Sequence, residues 1–235
     1  MQLRIFQKGF NFSQDGPGNR LVYHLSGCNL HCPWCSNADG MASDAGICYP
    51  LEQLVDECVR CRPMFFSGGG VTFTGGEATM QFEPLLELLQ RLRAQQIHTA
   101  IETNGTCRRL PELAQWLDYL IMDLKHYDPD VLKQVTGMGN ETVLENLGYF
   151  CRNSIPVHIR IPLINGFNAL DPEGFVRSVS QFDTSQTVFE FLPYHEYGKD
   201  KWKGAYRIEN GFVSPEVVEK FTEVFRRAGL RTVRT

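Results

Sequence analysis

Three cysteines are the residues of this chain whose type and spacing most clearly indicate chemistry. Cys28, Cys32 and Cys35 follow a C-x3-C-x2-C pattern, which places three thiolates on one short loop. A [4Fe–4S] cluster is normally held by four cysteines, so a cluster held by these three would keep one iron without a protein ligand. An open coordination position can bind a small molecule, as it does in catalytic zinc sites. The spacing leaves a second alternative open, a zinc site completed by His24 or His31.

The remaining cysteines do not form a second pattern of this kind. Cys58 and Cys61 make a C-x2-C pair in a stretch whose apolar residues recur at helical spacing, so both would lie on one helix face. A metal site shared with Cys48 is one interpretation of this pair, and free thiols are the commoner case. The chain shows no secretion signal, and a thiol cluster with metal-ligand spacing is typical of a reducing compartment.

Composition predicts one folded domain and excludes some classes of partner. The 235 residues are 43% hydrophobic and 21% charged, which suits a single domain over residues 1–235. A net charge of −4 argues against a surface that binds nucleic acid by neutralising phosphates. No stretch reaches the ~18 apolar residues of a membrane span. We therefore expect a cytoplasmic protein with a protein or small-molecule partner.

The elements that must position these residues alternate between short β-rich runs and longer amphipathic runs. This alternation is typical of β/α units around a parallel sheet. The predicted strands are Leu21–Leu25, Gly70–Thr74, His98–Thr103, Tyr119–Leu124, Val157–Pro162, Thr187–Leu192 and a terminal strand at Leu230–Val233. The predicted helices are Leu51–Arg60, Phe82–Gln95, Leu110–Leu117, Val131–Val135, Glu141–Arg152, Pro172–Phe182 and Pro215–Ala228, the last ending at Gly229. Six such units are too few for the eight-stranded barrel, so we expect an open or partial barrel.

Polar residues follow the predicted strands, where parallel β/α folds place their active sites. The cysteine loop follows the first strand, and a Gly75-Gly76-Glu77 turn follows the second. Further polar residues stand at or after the later strands: Glu102, Thr103, Asp123, Lys125, Arg160 and His195. We expect these groups to converge at one edge of the sheet, although the fold alone names no reaction.

Read together, these motifs resemble those of a known family. The C-x3-C-x-aromatic-C pattern, with Trp34 as the aromatic residue, and the GGE turn resemble the radical S-adenosylmethionine enzymes. Further segments resemble the glycyl-radical-enzyme activating enzymes and occur in the same order as in that family. They are D-G-P-G from Asp15, the S-G-G-G-V-T-F-T-G-G-E-A run from Ser67 to Ala78, E-T-N-G from Glu102, D-L-K from Asp123, and the segment Leu192–Trp202. The resemblance covers most of the chain.

The resemblance implies both a fold and a reaction. The fold would be a partial (β/α)6 TIM-like barrel of the radical S-adenosylmethionine type, with flanking N- and C-terminal elements. Cys28, Cys32 and Cys35 would hold a [4Fe–4S] cluster whose open iron binds S-adenosylmethionine. Reductive cleavage would give a 5′-deoxyadenosyl radical, which takes a hydrogen atom from a glycine of a glycyl radical enzyme. The cofactors carry this chemistry, so no side chain is expected to be catalytic in its own right.

The resemblance also implies roles for individual residues. Trp34 would lie against the adenine, and the GGE turn would hold the methionine end of S-adenosylmethionine. Asp15 would lie near the partner protein. The further residues implied in cofactor binding are Glu102, Lys125, Arg160 and His195, and Arg160 has the equal alternative of pairing with a carboxylate. The positions implied in a monovalent-cation site (sodium or potassium) are Glu102, Thr103, Asp123 and the carbonyl of Ile121.

Two differences from the family pattern narrow what the resemblance implies about the number of clusters and about cation binding. Many members carry a cysteine-rich ferredoxin-like insert after the cluster loop, whereas this interval holds only Cys48, Cys58 and Cys61. Three cysteines cannot supply two further clusters, so the chain resembles the short form with a single cluster. The family pattern has an aspartate where this chain has Glu102, which puts cation binding more in doubt than cofactor binding.

Other functions stay open at this point. The cysteine loop also resembles that of 7-carboxy-7-deazaguanine synthase, a radical enzyme with a small-molecule substrate, although that family does not explain the Asp15 turn or the segment ending at Trp202. A third alternative is a metal-binding or electron-transfer module without catalysis. For an activating enzyme we expect a monomer that accepts electrons from a flavodoxin or a ferredoxin, and the sequence does not distinguish these donors.

Overall fold

The computed structural model describes residues 1–153 and 155–234 as an α/β protein. Its backbone divides into two compact units. The first unit contains Met1–Asn29, Asn37–Thr103 and Arg109–Ile121. The second contains Leu30–Ser36, Asn104–Arg108 and the described residues from Met122 onward. The three cysteines of the C-x3-C-x2-C loop are therefore divided, with Cys28 in the first unit and the other two in the second.

The first unit is built on a mixed sheet. Its strands are β1 (Gln2–Phe12), β2 (Asn19–Leu25), β3 (Ile47–Pro50), β4 (Gly70–Gly75), β5 (Thr99–Thr103) and the start of β6 (Tyr119–Asp123). Their order in the sheet is β3-β1-β2-β4-β5-β6. Strands β2, β4 and β5 are parallel, with Val22 opposite Thr72 and Thr72 opposite Ala100. These are the strands that the sequence predicted, to within two residues at each end.

Two antiparallel strands on one side of this sheet, β1 and β3, were not predicted from the sequence. Strand β1 pairs with β2 on one side and with β3 on the other. Most residues in the second half of β1 are exposed, and Ile47 of β3 is 64% exposed. Alternating burial is the signal that reveals a strand in a sequence, and it is absent where both faces meet solvent.

Two helices of the first unit follow the predicted periodicity. Helix α1 (Leu51–Arg60) buries Leu51, Leu54 and Cys58, and helix α2 (Phe82–Ala94) buries a stripe of leucines. The predicted helix at Leu110–Leu117 is a 3-10 helix over Leu110–Trp116 instead. A short connector that contains a proline in its first turn suits the tighter 3-10 geometry, and Leu110 and Leu113 still face the core.

The second unit is a parallel sheet with four helices. The last two residues of β6 belong to it, and β7 (Val157–Leu163), β8 (Thr187–Pro193) and β9 (Thr232–Val233) lie in that order. The helices are α3 (Pro129–Thr136), α4 (Glu141–Cys151), α5 (Pro172–Val179) and α6 (Pro215–Arg227). The predicted terminal strand is confirmed in shortened form. The predicted C′ glycine after the last helix is confirmed at Gly229, which has a φ of +78°.

Side chains at the helix ends and in the core explain why these elements form. The carboxylates of Asp128 and Asp171 cap α3 and α5 by accepting hydrogen bonds from free amide groups of the first turn. Phe221 and Phe225 of α6 are wholly buried against Phe191 of β8, with ring centroids 5.5 and 4.9 Å away. No described helix is long and apolar enough to cross a membrane.

Candidate functional site

Backbone hydrogen bonds hold both parts of the cysteine loop. In the first unit, Cys28 N donates to Met41 O at 3.1 Å. In the second unit, Cys35 N donates to Cys32 O at 3.1 Å, which closes a tight turn between these two cysteines. Cys32 is buried, and the other two cysteines are half-buried. The chain therefore presents these cysteines on backbone that is already ordered.

The chemistry of the three cysteines fits an iron–sulfur cluster. All eight cysteines are free thiols, so none of the three is consumed in a disulfide. Thiolate sulfur is the ligand that iron–sulfur clusters prefer. Among residues 1–153 and 155–234, no three histidine, cysteine, aspartate or glutamate side chains form a ready-made metal site. The ligand role of these cysteines accordingly rests on their spacing and their chemistry.

A half-buried ion pair lies close to the cysteines of the second unit. Lys125 Nζ is 2.6 Å from Asp123 Oδ2, and the two side chains are 14% and 19% exposed. Burial alone would lower the pKa of Lys125. The negative charges of Asp123, Cys32 and Cys35 outweigh burial and raise this pKa above its ordinary value. The D-L-K motif thus places a permanent positive charge beside two of the three cysteines.

Glu77 is a wholly buried carboxylate whose partners come from its own turn and from β5. Its Oε1 accepts hydrogen bonds from Thr103 Oγ1 at 2.7 Å, Thr79 N at 3.0 Å and Thr79 Oγ1 at 2.5 Å. Only 1% of the residue is exposed. Because a buried polar group is costly without hydrogen bonds, these donors satisfy Oε1 and fix the orientation of the Glu77 side chain.

The turn that carries Glu77 is joined to the backbone just before Cys28. Gly76 N donates to Leu25 O at 2.9 Å, and Glu77 N donates to Gly27 O at 2.7 Å. A Cβ atom on Gly76 would lie 2.2 Å from Gly27 O, so only glycine allows this approach. Gly75, half-buried at the end of β4, accepts a hydrogen bond from Asn37 Nδ2 at 3.3 Å. The GGE turn and the start of the cysteine loop therefore form one rigid piece within the first unit.

The residues predicted for a cation site are divided between the units. Glu102 is half-buried and accepts a hydrogen bond from Thr74 Oγ1 at 2.9 Å. Thr103 and Ile121 are buried in the same unit, whereas Asp123 belongs to the second unit. The structure therefore describes three of these four positions within one unit.

Trp34 and Arg160 both contact residues of the second unit. The Trp34 ring is half-buried, with its centroid 4.6 Å from that of Phe167. Arg160 Nε is 3.2 Å from Glu190 Oε2, and both side chains are buried. Arg160 thus pairs with a carboxylate, which was one of its two predicted roles, and the same oxygen lies 3.1 Å from His158 Nε2.

His195 lies just after β8 and is half-buried. Its ring stacks on Tyr197 with centroids 4.4 Å apart, and its Nδ1 accepts a hydrogen bond from Tyr197 N at 3.4 Å. Burial lowers the pKa of His195, which favours the neutral imidazole. Further along the same segment, Trp202 Nε1 donates to Cys35 O at 3.0 Å. Sequence reasoning missed this contact, because the two residues are 167 positions apart.

Asp15 lies in the turn before β2, whereas Cys28 follows β2, so the two residues are at opposite ends of one strand. Asp15 O accepts a hydrogen bond from Thr72 Oγ1 at 2.6 Å, and its carboxylate accepts one from Asn11 Nδ2. Thr72 Oγ1 in turn accepts a hydrogen bond from the wholly buried Arg20 at 2.6 Å. Burial lowers the pKa of Arg20 to about 10, so this residue remains charged at neutral pH.

Comparisons with known proteins agree with the fold and the motifs described above. Residues 22–179 match the profile of the family described as the Radical SAM superfamily. A solved domain of a pyruvate-formate lyase-activating enzyme from Bacteroides vulgatus is similar over 71% of this chain and 98% of its own length, with 27% identity and a TM-score of 0.60. SuiB from Streptococcus suis shares the fold over 90% of this chain and 49% of its own, with 17% identity and a TM-score of 0.69. Fold and motifs together define a radical S-adenosylmethionine enzyme.

Two curated relatives show which family of radical S-adenosylmethionine enzymes this chain belongs to. The pyruvate formate-lyase 1-activating enzyme of Escherichia coli is 33% identical over 196 residues, which cover 80% of this chain and 79% of the relative. The pyruvate formate-lyase-activating enzyme of Staphylococcus epidermidis is 33% identical over 227 residues, covering 90% and 89%. The chain therefore belongs to the radical SAM superfamily and, within it, to the family of the pyruvate formate-lyase activating enzymes.

This membership decides between the predicted alternatives. The predicted fold class, an α/β partial barrel of the radical SAM type, is confirmed. The chain is an oxidoreductase, so the prediction of an enzyme is confirmed against that of a purely structural metal site. The comparisons do not favour the alternative of a small-molecule synthase.

Proposed function

We propose that this chain activates a glycyl radical enzyme, with S-adenosylmethionine as the source of a 5′-deoxyadenosyl radical that removes a hydrogen atom from a glycine of the partner. The observation that carries the proposal is the rigid connection between two motifs. Glu77 N donates to Gly27 O, one residue before Cys28, so the GGE turn and the start of the cysteine loop are built as one piece within the first unit. The 33% identity to activating enzymes over most of the chain supports the same reaction.

The three cysteines of the loop would hold the [4Fe–4S] cluster. When bound, the cluster supplies the electron that cleaves the sulfonium group of S-adenosylmethionine. The protein contributes binding, orientation and the exclusion of water. Cys32 is buried, and the Lys125 ammonium beside it offsets negative charge that thiolates bring to a site with little solvent.

Other residues of the site would bind S-adenosylmethionine. The backbone of Gly75 and Gly76 and the side chain of Glu77 suit its amino group, because Glu77 is buried and three donor groups hold it in one orientation. The Lys125 ammonium suits its carboxylate. The aromatic face of Trp34 suits the adenine ring.

Three further residues would complete the cofactor site. His195 is held neutral by burial, so its ring is a hydrogen-bonding group rather than a second positive charge. Arg160 is already paired with Glu190, which favours a role in supporting the site over direct contact with the cofactor. Glu102, whose carboxylate accepts a hydrogen bond from Thr74, stays a proposed cofactor contact.

We also propose a monovalent cation, sodium or potassium, beside the cofactor carboxylate. Its ligands would be Glu102, Thr103, Asp123 and the carbonyl of Ile121, all of which are hard oxygen donors. A dependence of S-adenosylmethionine affinity on potassium or sodium, at constant ionic strength, would support this site. Equal affinity in a buffer of large organic cations would contradict it.

The partners follow from the same reaction. Asp15 is proposed to contact the glycyl radical enzyme, and a flavodoxin or a ferredoxin would supply the electron. We further propose that residues 1–235 act as a single domain, as a monomer in the cytoplasm. The eight free thiols suit a reducing compartment.

Electron paramagnetic resonance tests the proposed reaction directly. Anaerobic protein with a reconstituted cluster, S-adenosylmethionine, a reductant and a candidate glycyl radical enzyme should give a glycine-centred doublet in the partner. The variant Cys32→Ala should give no signal, because it removes a cluster ligand. Cleavage of S-adenosylmethionine without a doublet, for every glycyl radical enzyme encoded in the same genome, would refute the proposal.

A further inference from the structure

The segment after β8 returns to the cysteine loop and contacts it at two places. This segment, residues 194–206, is called the strap. Trp202 Nε1 donates to Cys35 O at 3.0 Å. Four residues earlier, Gly198 packs on the next residue of the loop, where an added Cβ atom would lie 2.4 Å from Ser36 Cα. All of these residues belong to the second unit.

The strap is also closed on itself. The hydroxyl groups of Tyr194 and Tyr206, at its two ends, are 2.8 Å apart and hydrogen-bonded. The rings of Trp202 and Tyr206 form a T-shaped pair with centroids 5.7 Å apart. The contacts with the cysteine loop therefore act on a compact segment, so that fixing one end restrains the rest.

His195 lies inside this segment, three residues before Gly198. It is beyond the end of β8, and on its N-terminal side the buried Tyr194 holds the chain to β7 by donating its backbone N–H to Leu163 O at 3.0 Å. The His195 ring stacks on Tyr197, which is 86% exposed and provides little rigid packing. The contacts of Gly198 and Trp202 with the cysteine loop are therefore the connections that restrain His195 from its C-terminal side.

We propose that Gly198 and Trp202 are positioning residues, which hold the strap on the cysteine loop so that His195 is already in place when S-adenosylmethionine binds. The role of His195 in this inference rests on the proposed function. The anchoring of the strap to the cysteine loop is independent of that function. The Trp202 side chain is only half-buried and adds little to the core, so a purely structural role would not couple it to cofactor affinity.

Two variants and two matched controls test the proposal. Trp202→Phe removes the N–H group and keeps an aromatic ring against Tyr206. Gly198→Ala places a methyl group against the backbone of Ser36, which has to move. The control for the glycine is Gly204→Ala in the same strap, where a Cβ atom meets no atom within 4 Å. The control for the tryptophan is Trp116→Phe, which makes the same change in the other unit.

The first measurement is backbone hydrogen–deuterium exchange over residues 195–202 in cluster-loaded protein without S-adenosylmethionine. Loss of one hydrogen bond corresponds to a change of about tenfold. We expect Trp202→Phe and Gly198→Ala to raise exchange in the strap by about tenfold and both controls to leave it unchanged. Unchanged exchange in both test variants would overturn the anchoring. This measurement needs no turnover, so it stands even if the proposed reaction is wrong.

The second measurement is the affinity for S-adenosylmethionine, from the change that it causes in the spectrum of the reduced cluster. We expect about tenfold weaker binding in Trp202→Phe and Gly198→Ala, with unchanged iron and sulfide content and with no change in the controls. Faster exchange together with unchanged affinity would overturn the positioning role. A wild-type cluster that does not respond to S-adenosylmethionine would instead refute the proposed function, and exchange alone would then decide the anchoring.

Discussion

Replacing Gly76 by alanine tests whether the GGE turn and the start of the cysteine loop are one rigid piece. The added Cβ atom would lie 2.2 Å from Gly27 O and 3.0 Å from Gly40 O. Normal contact requires these backbones to separate by about 1 Å or more. That movement would stretch the bonds from Gly76 N to Leu25 O and from Glu77 N to Gly27 O, now 2.9 and 2.7 Å long.

The expected loss of stability follows from these two effects. Each backbone hydrogen bond contributes about 0.5–1.5 kcal/mol, and inserting a methyl group into a packed site costs about 1–3 kcal/mol. We therefore expect Gly76→Ala to lower the free energy of unfolding by roughly 2–6 kcal/mol. Even the lower end of this range should reduce the urea midpoint by about 1 M.

Urea denaturation of the reduced chain under anaerobic conditions measures this loss. The matched control is Gly9→Ala in β1, where a Cβ atom meets nothing within 4 Å and the residue is exposed. We expect that control to change the free energy of unfolding by less than about 0.5 kcal/mol. A difference below about 1 kcal/mol between the two variants would refute the rigid connection.

Two other substitutions give separate tests. Thr103→Val removes the hydroxyl that donates to Glu77, so we expect the free energy of unfolding in urea to fall by about 1.5–3 kcal/mol. Thr103→Ser keeps a hydroxyl and should restore most of this loss. Equal stability of the two variants would contradict the prediction. Burial and the neighbouring Arg20 guanidinium lower the pKa of His98, so the folded chain binds fewer protons than the unfolded chain below about pH 6.5. The free energy of unfolding should therefore decrease as the pH is lowered below that value. His98→Gln should reduce the slope of the free energy of unfolding against pH between pH 7.5 and 5.5. An unchanged slope would show that His98 is not responsible.

Hydrophobic pattern was sufficient to predict the strands that carry the site. These strands are buried and bounded by glycine, proline or polar turns, so the pattern of apolar residues predicts them clearly. They are β2, β4, β5, β6, β7 and β8. Strands β1 and β3 gave no such pattern, because β3 and the second half of β1 are largely exposed and show no alternating burial. The 3-10 form of the Leu110–Trp116 connector was likewise hidden, because its apolar positions fit either type of helix.

The motifs of the site were also legible in the sequence, but the contacts that hold them were not. Spacing revealed the cysteine loop and the GGE turn, since each is local in the chain. The bond from Thr103 to Glu77 spans 26 residues, and that from Trp202 to Cys35 spans 167. Neither threonine nor tryptophan at such a distance carries a local signal. These contacts could be found only once the strands had brought the residues together.

The environment of Cys58 has a practical consequence for preparing the enzyme. This thiol is wholly buried against the Tyr23 hydroxyl, and burial raises its pKa to about 12. It therefore stays protonated and shielded from solvent while iron and sulfide are added, so the pair that it forms with Cys61 should not capture iron in competition with the C-x3-C-x2-C loop. Iron in a purified sample in excess of four atoms per chain would then indicate misfolded molecules or nonspecifically bound iron rather than a second cluster, which makes the iron count a measure of sample quality.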